Sequence, residues 1–509
     1  MVFPYTFLFA AAASVKCYEA SIAHPPPDLD PNDAVLKHAF ATINTALTIA
    51  IAAPEFASTS FSIEITSSKE SLWSEHHTAR ERNASRPDIP EVNGDALYRI
   101  ASITKTFTVL GTLYQHEAGN LSLDDPVDKY IKELKEKQEG TIPWKDITLR
   151  SLASQLSGIP REFAQSDFIN TDNSGLKAPA DMGLPPMSRE GLIDCDDYSN
   201  YEKPCTAKDL LTEVKSKRPL FAPNMKSTYS NVAFELLGLV LERVTNQTYK
   251  NTLSLPPDSA GVIPLNPQYW DVDEGIQNPT GGIYSSSKDL SKFLRYILSN
   301  YNSLAGLNWM HPVSPSECLN GMPREIFHTD RIPKDSRRTV RPISKSGGLP
   351  GYTSFIIMVP DFDIGITVLV AGKPEIIRKM IDAVGTTIVR AAEEVTTRQL
   401  QERYVGTYES TNATLNSSIT LVADGRGLVV EKFISNERTE VEGSIWYDYC
   451  ITNLDLPMYA GMAYNELVFW DKEKDGKYGT VELSAFRVNL TRTEKDEGLW
   501  QDKQEFLEL

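Results

Sequence analysis

Ser102 and Lys105 stand three residues apart at the head of a segment that reads as a helix. On a helix, Ser-x-x-Lys brings a hydroxyl and an amine to the same face, one turn apart. A lysine that is neutral there can take the hydroxyl proton and generate a nucleophile for covalent acyl transfer. The tetrapeptide recurs at Ser174–Lys177 and Ser285–Lys288, so spacing alone selects none of the three. By itself, Ser102 reads better as a helix N-cap, with Lys105 laying its stem along apolar surface. Context distinguishes it. Ile103, Phe107, Leu110 and Tyr114 fall at i, i+4, i+7 and i+11, which predicts an apolar stripe on a buried helix that starts at Ser102. Unpaired backbone N–H groups at such a start favour an anion. The helix is rich in β-branched Thr and Val, so packing rather than propensity must hold it.

Two further pieces follow in order. Tyr229-Ser230-Asn231 precedes the apolar helical run Val232–Val244, and Lys345-Ser346-Gly347-Gly348 precedes an apolar strand pair at 354–370. Tyr198-Ser199-Asn200 and Tyr249-Lys250-Asn251 also match Tyr-x-Asn, but only Tyr229 opens a helix. Ser-x-x-Lys, Tyr-x-Asn and Lys-[Ser/Thr]-Gly, in that order, form the three-part signature of penicillin-recognising serine enzymes. The chain resembles the class C β-lactamase and D-alanyl-D-alanine carboxypeptidase family, and within it the secreted β-lactamase-like proteins of filamentous fungi. The resemblance spans about residues 30–395. It includes Ile147–Pro160, Asn278–Ser285 and Gly348–Tyr352, and the tail beyond resembles one appended in the fungal group.

The resemblance implies an α/β (α+β) fold of β-lactamase/DD-peptidase type, in which helices flank an antiparallel sheet beside an all-helical lobe. It implies Ser102, Lys105, Tyr229 and Lys345 as catalytic residues, with Asn231, Ser346, Gly347 and Gly348 binding substrate. Ser102 would form an acyl-enzyme, and the backbone N–H groups of Ser102 and Gly348 an oxyanion hole. Lys345 would suit a substrate carboxylate and make Tyr229 more acidic. Asn231 would bind an acyl-group amide or orient Lys105. Whether Lys105 or Tyr229 is the base stays open. No metal and no cofactor is implied. The sequence departs from the family at Ser346, where bacterial enzymes usually have Thr, and at Gln155, where many relatives have His. The implied activity is hydrolysis of an ester, lactone or amide in a small or peptide-like substrate. The alternatives are an acyltransferase or hydrolase of fungal secondary metabolism, or a non-catalytic binding protein on the same scaffold.

The elements that must position these residues are legible in outline. Helical period marks 34–50, Lys208–Lys217, Asn231–Val244, Ser287–Leu298 and Pro374–Glu394. Strand-like alternation marks Ser60–Ser67, Ser71–Thr78, Ser354–Val359 and Ile364–Val370. Beyond Arg398 only short alternating runs remain (Ile419–Ala423, Gly427–Phe433, Glu466–Trp470 and Thr480–Val488), which predicts a separate antiparallel β domain over 399–509 after a catalytic domain over 17–398. Asp471, Glu473, Asp475, Gly476 and Glu482 mimic calcium-loop spacing, but strand-like flanks make the segment a charged hairpin turn.

Composition sets the remaining bounds. The 509 residues carry 51 basic and 68 acidic side chains, a net charge of −17 that argues against nucleic-acid and anionic-membrane partners. Residues 2–13 are apolar and end in four alanines, too short to span a bilayer; they read as a signal peptide over about 1–16, although a basic n-region is missing. No other stretch reads as long and apolar enough to span. Of five cysteines, Cys195 and Cys205 close a short loop as a candidate disulfide, and the pairing of Cys17, Cys318 and Cys450 stays open. Six glycosylation sequons, at Asn83, Asn120, Asn246, Asn412, Asn416 and Asn489, join the leader in pointing to a secreted glycoprotein.

Overall fold

The computed structural model describes residues 24–493, except for stretches of which the longest are 164–180, 196–203, 250–255, 301–318 and 440–457. The leader, Ser174–Lys177, Tyr198, Cys17, Cys318 and Cys450 lie outside the described residues. The chain divides into two compact units. One comprises Asp28–Ile332 with Val340–Ala392, and the other is built mainly from Glu393–Leu509.

In the first unit the helices are α1 (Ala34–Ile51), α2 (Thr104–Glu117), α3 (Leu149–Ala153), α4 (Ala207–Ser216), α5 (Val232–Thr245), α6 (Asn278–Gly281), α7 (Ser287–Ser299) and α8 (Ile376–Arg403), the last running on beyond the unit's end. The strands are β1 (Ser60–Thr66), β2 (Ser71–His77), β3 (Tyr98–Arg99), β4 (Tyr284–Ser285), β5 (Leu319–Asn320), β6 (Glu325–Ile326), β7 (Ile343–Leu349), β8 (Tyr352–Val359) and β9 (Ile364–Ala371). A seven-stranded antiparallel sheet runs in the order β2-β1-β9-β8-β7-β6-β5. Every residue of β1 and β9 is buried, as central strands covered on both faces require. The β8–β9 hairpin turns through Asp363, which is left-handed at φ 55° and whose carboxylate accepts hydrogen bonds from Ser68 N (3.1 Å) and Oγ (2.7 Å). Local chemistry starts the helices. Asp33 caps α1, Thr206 and Asp209 form a capping box on α4, and Ser286 caps α7.

One expectation needs correction here, and another is extended. By length and composition α1 is apolar enough to cross a membrane, contrary to the reading that no segment past the leader is. Its buried residues Leu36, Ala39, Phe40, Ile43, Leu47 and Ile51 form one stripe, the pattern of a helix laid on a core. The Lys-Ser-Gly-Gly segment precedes the strand pair as expected and is itself a strand, lying within β7 and registered against β8 with Lys345 opposite Ile356.

The second unit contains a seven-stranded antiparallel sheet ordered 438–439, 427–435, 418–424, 406–410, 488–492, 478–483, 467–472. Tyr408, Ile419, Leu421, Val481, Leu483 and Leu490 form its buried core. The run read as Thr480–Val488 is two strands, 478–483 and 488–492, that pair with each other. The calcium-loop lookalike is the hairpin between 467–472 and 478–483.

Candidate active site

The chain leaves β3 and reverses at Ala101, a non-glycine residue at φ 48°, before a 3-10 turn over Ala101–Ile103 leads into α2. Ser102 therefore sits on a strained turn ahead of the helix rather than at its first residue. The turn is clamped from β7 and β8. Ser354 Oγ donates to Ile100 O at 2.7 Å. A Cβ at Gly347 would fall 2.3 Å from Ile100 O and 2.9 Å from Ser102 N, so only glycine lets β7 approach the serine backbone this closely.

Lys105 is fully buried. Its Nζ donates to Ser102 Oγ at 3.0 Å and to Thr280 O at 3.0 Å. Burial pushes its pKa down; the adjacent Tyr229 opposes that and the Lys345 ammonium adds to it. The face of α2 turned inward is Lys105, Thr108, Val109, Thr112 and Leu113, not the predicted stripe, of which Phe107 and Leu110 are half-buried and Tyr114 is exposed. Threonines can line a buried face because their hydroxyls are bonded: Thr108 Oγ1 to Pro279 O at 2.7 Å and Thr112 Oγ1 to Thr108 O at 2.9 Å.

Tyr229 precedes α5 and lies among three cations. Its ring centroid is 4.8 Å from the Arg161 guanidinium carbon and 5.2 Å from both Lys105 Nζ and Lys345 Nζ. Burial alone would raise the phenol, but the two ammonium groups and hydrogen bonds from Ser102 and Lys105 outweigh it and bring the pKa down to about 8. Tyr249 is no rival. Its hydroxyl pairs with Thr108 Oγ1 at 2.9 Å, and burial pushes it up to about 12.

Lys345 Nζ donates to Glu325 Oε1 at 2.8 Å and to Ser346 O at 2.7 Å. Ser346 Oγ also reaches Glu325, at 3.3 and 3.2 Å from the two carboxylate oxygens. Asn231 Nδ2 donates to Glu162 Oε1 at 2.5 Å. Glu162 Oε2 and Asn231 Oδ1 are buried with no partner. Burial raises the Glu162 pKa to about 7, against the opposing pull of Arg161 and the Asn231 hydrogen bond.

Serine, two lysines, tyrosine and asparagine thus converge from α2, α5 and β7. A family model described as Beta-lactamase matches residues 70–383, more than half of the chain. The chain belongs to the beta-lactamase family. A model described as "Beta-lactamase-like-like, C-terminal domain" matches 396–439. A probable hydrolase of Phoma sp. is 29% identical over 523 residues, covering 87% of this chain and 86% of that protein. A beta-lactamase-like protein of Arthroderma benhamiae is 29% identical over 494 residues, covering 88% and 80% respectively. Among solved structures, the octameric penicillin-binding protein homologue of Pyrococcus abyssi shares the fold, with TM-score 0.50, 17% identity, and coverage of 89% of this chain and 99% of that one. The chain is a hydrolase of the beta-lactamase family, with fungal relatives.

Against the family signature, the second and third motifs are held by residues to which the sequence reading gave no role. Gln155 stands at φ 60°; its side-chain Oε1 accepts from Ser230 N at 2.7 Å and its backbone carbonyl from Thr228 N at 2.9 Å, gripping the chain on both sides of Tyr229. The Asn278–Ser285 segment supplies the Thr280 carbonyl to Lys105. Glu162 directly follows Ile159-Pro160-Arg161, so its nearness to the site was available as a signal; Glu325 carried none. Of the other Ser-x-x-Lys matches, Ser285–Lys288 is excluded by geometry, because Ser285 is in β4 and Lys288 pairs with Asp95 at 3.0 Å. Cys195 and Cys205 form a disulfide.

Proposed function

We propose that this hydrolase is secreted and opens an ester, lactone or amide through an acyl-enzyme on Ser102. One observation carries the reading: Lys105 Nζ lies 3.0 Å from Ser102 Oγ and 5.2 Å from the centre of the Tyr229 ring, whose pKa the neighbouring ammonium groups bring to about 8. A proton acceptor thus stands at the serine hydroxyl near neutral pH.

In the proposed reaction the Ser102 proton passes to the Lys105–Tyr229 pair as Oγ bonds to the substrate carbonyl carbon. The carbonyl electron pair moves onto its oxygen, facing the N–H groups of Ser102 and Gly348. No atom lies within 4 Å of a Cβ placed on Gly348, which leaves space there for a substrate. Collapse of the intermediate expels the leaving group, which takes the proton from the pair. Water then repeats the sequence and releases the acid. Lys105 and Lys345 hold the tyrosine acidic, and Asn231 holds the acyl side. Secretion is supported by the apolar leader and by the sequons, of which Asn120, Asn246, Asn412, Asn416 and Asn489 are exposed and Asn83 half-buried.

Exposure to a fluorophosphonate probe, followed by peptide mass spectrometry, tests the nucleophile. The label is expected on the peptide bearing Ser102 and should vanish in Ser102→Ala. A label that persists in that variant overturns the assignment.

A further inference from the structure

The family resemblance leads one to expect Lys345 and the hydroxyl beside it to receive a carboxylate from the substrate. In this chain a carboxylate is already there. Glu325 comes from β6, registered opposite Ser344, one residue before Lys345, and Ser344 Oγ fixes its backbone carbonyl at 3.1 Å. Its carboxylate takes the Lys345 ammonium at 2.8 Å and both of its oxygens lie within reach of Ser346 Oγ. The lysine is almost wholly buried, at 1% side-chain exposure, whereas Glu325 is 27% exposed. The glutamate is therefore the member of the pair that reaches solvent, and the lysine behind it does not.

We infer that Glu325 is a built-in carboxylate that fills the anion position of the site, so that this hydrolase takes substrates uncharged at that end, such as neutral esters or lactones, rather than carboxylate-bearing ones. This rests on the proposed serine-hydrolase reading and narrows its substrate class. The physical ground is charge. A substrate carboxylate entering beside Glu325 would meet a like charge at about 4 Å, worth ~10- to 1000-fold in affinity between water-like and protein-like screening. It would also find the ammonium and the hydroxyl already satisfied. A neutral acyl or alcohol group meets neither obstacle. The pairing leaves the Lys345 ammonium 5.2 Å from the Tyr229 ring, so it can still act on the phenol.

The test is a matched pair of esters that differ on the alcohol side, away from the acyl group held by Asn231: phenyl butyrate, and 3-carboxyphenyl butyrate, whose leaving group bears a carboxylate. Wild type should favour the neutral ester by ~10- to 1000-fold in kcat/KM. Glu325→Gln should cut that ratio by at least tenfold, chiefly through KM of the charged ester. Equal turnover of the two by wild type, or a preference for the charged one, overturns the inference without need of any variant. So does a ratio unmoved in Glu325→Gln. Binding of both esters to Ser102→Ala, with and without Glu325→Gln, reads the same discrimination with no turnover. An enzyme inert to both esters but selective in binding would thus count against ester turnover through Ser102 and keep this inference. Should Glu325→Gln fold poorly, Glu325→Ala supplies a second reading. Added acetate should occupy the vacated position and raise its melting temperature while leaving wild type unmoved, and no acetate effect in that variant counts against a built-in anion.

Discussion

Replacing Tyr229 by Phe removes one oxygen and leaves the ring among its cations, which isolates the phenol's part in the chemistry. An ordinary tyrosine with a pKa near ~10 is ionised about once in a thousand at pH 7. With the pKa brought to about 8, that becomes about one in ten, roughly a hundredfold more phenolate beside Ser102. Loss of a general base costs ~10²–10⁴-fold, so acylation in Tyr229→Phe should slow by at least about the hundredfold that the environment provides. The pH dependence carries a sign. Wild-type acylation should rise with pH as the Lys105–Tyr229 pair loses a proton, with an acid limb near the phenol's value of about 8. In the variant Lys105 loses the one strong neighbour that raises its pKa, while burial and Lys345 still lower it, so the residual activity should titrate at lower pH. Lys345→Met moves the limb the other way. An ammonium 5.2 Å from the ring acts with ~3 kcal/mol at an effective dielectric of ~20, about two pH units, and its removal should carry the limb back toward ~10. Single-turnover acylation by a chromogenic ester across pH, for the three proteins, is the assay. A near wild-type rate in Tyr229→Phe would refute the reasoning and leave Lys105 as the sufficient base. An acid limb that stays near 8 in that variant would equally remove the phenol from the assignment.

Other perturbations follow from the same geometry. Glu162 is held protonated up to about pH 7 in the fold, against an ordinary value of 4.5, so the native state binds the extra proton between those values and stability falls as pH rises through them. Urea unfolding at pH 5 and pH 8 should show this loss, up to ~3 kcal/mol, and Glu162→Gln should flatten it. Gly238→Ala would ordinarily favour a helix, but the new Cβ would lie 2.1 Å from Pro279 Cγ; a net destabilisation of ~1–3 kcal/mol is expected by thermal melting, with reduced kcat because Thr280 next to Pro279 holds Lys105. Gly347→Ala would press on Ile100 O and Ser102 N and should lower kcat by ~10²-fold through displacement of the nucleophile, whereas a near-normal kcat would show that β7 can yield.

The site was largely legible in the sequence because its chemistry is carried by residue types at fixed local spacings, and its family motifs keep their order. Ser102, Lys105, Tyr229, Asn231 and Lys345 are brought together as the resemblance implied. What escaped is non-local. Glu325 reaches Lys345 only through the pairing of β6 with β7, twenty positions along the chain, and no periodicity marks a two-residue strand. Period counting points to the wrong face of α2 because it weighs apolar side chains, whereas the inward face carries threonines whose hydroxyls are bonded to carbonyls. The tail's Thr480–Val488 run reads as one stretch in the sequence because alternation continues across its turn, which only the pairing of 478–483 with 488–492 separates.

The two lysines of the site differ in what neutralises them, and that difference divides their work. Lys345 and Lys105 are equally buried and equally close to the Tyr229 ring. Lys345 has a carboxylate in contact, Glu325, whereas Lys105 donates to a serine hydroxyl and a backbone carbonyl, both neutral. Burial of an ammonium with no carboxylate in contact lowers its hold on the proton, and the neighbouring Tyr229 oxygen opposes this only in part. The lysine beside Ser102 is therefore the one suited to exchange a proton, while the lysine on β7, held by Glu325, lowers the phenol's pKa through its charge. Exchanging these roles would require moving a carboxylate from one lysine to the other. A carboxylate introduced at Thr280 cannot do so, since its backbone carbonyl, not its side chain, faces Lys105. The assignment is thus written into β6 and its register against β7, outside all three sequence motifs.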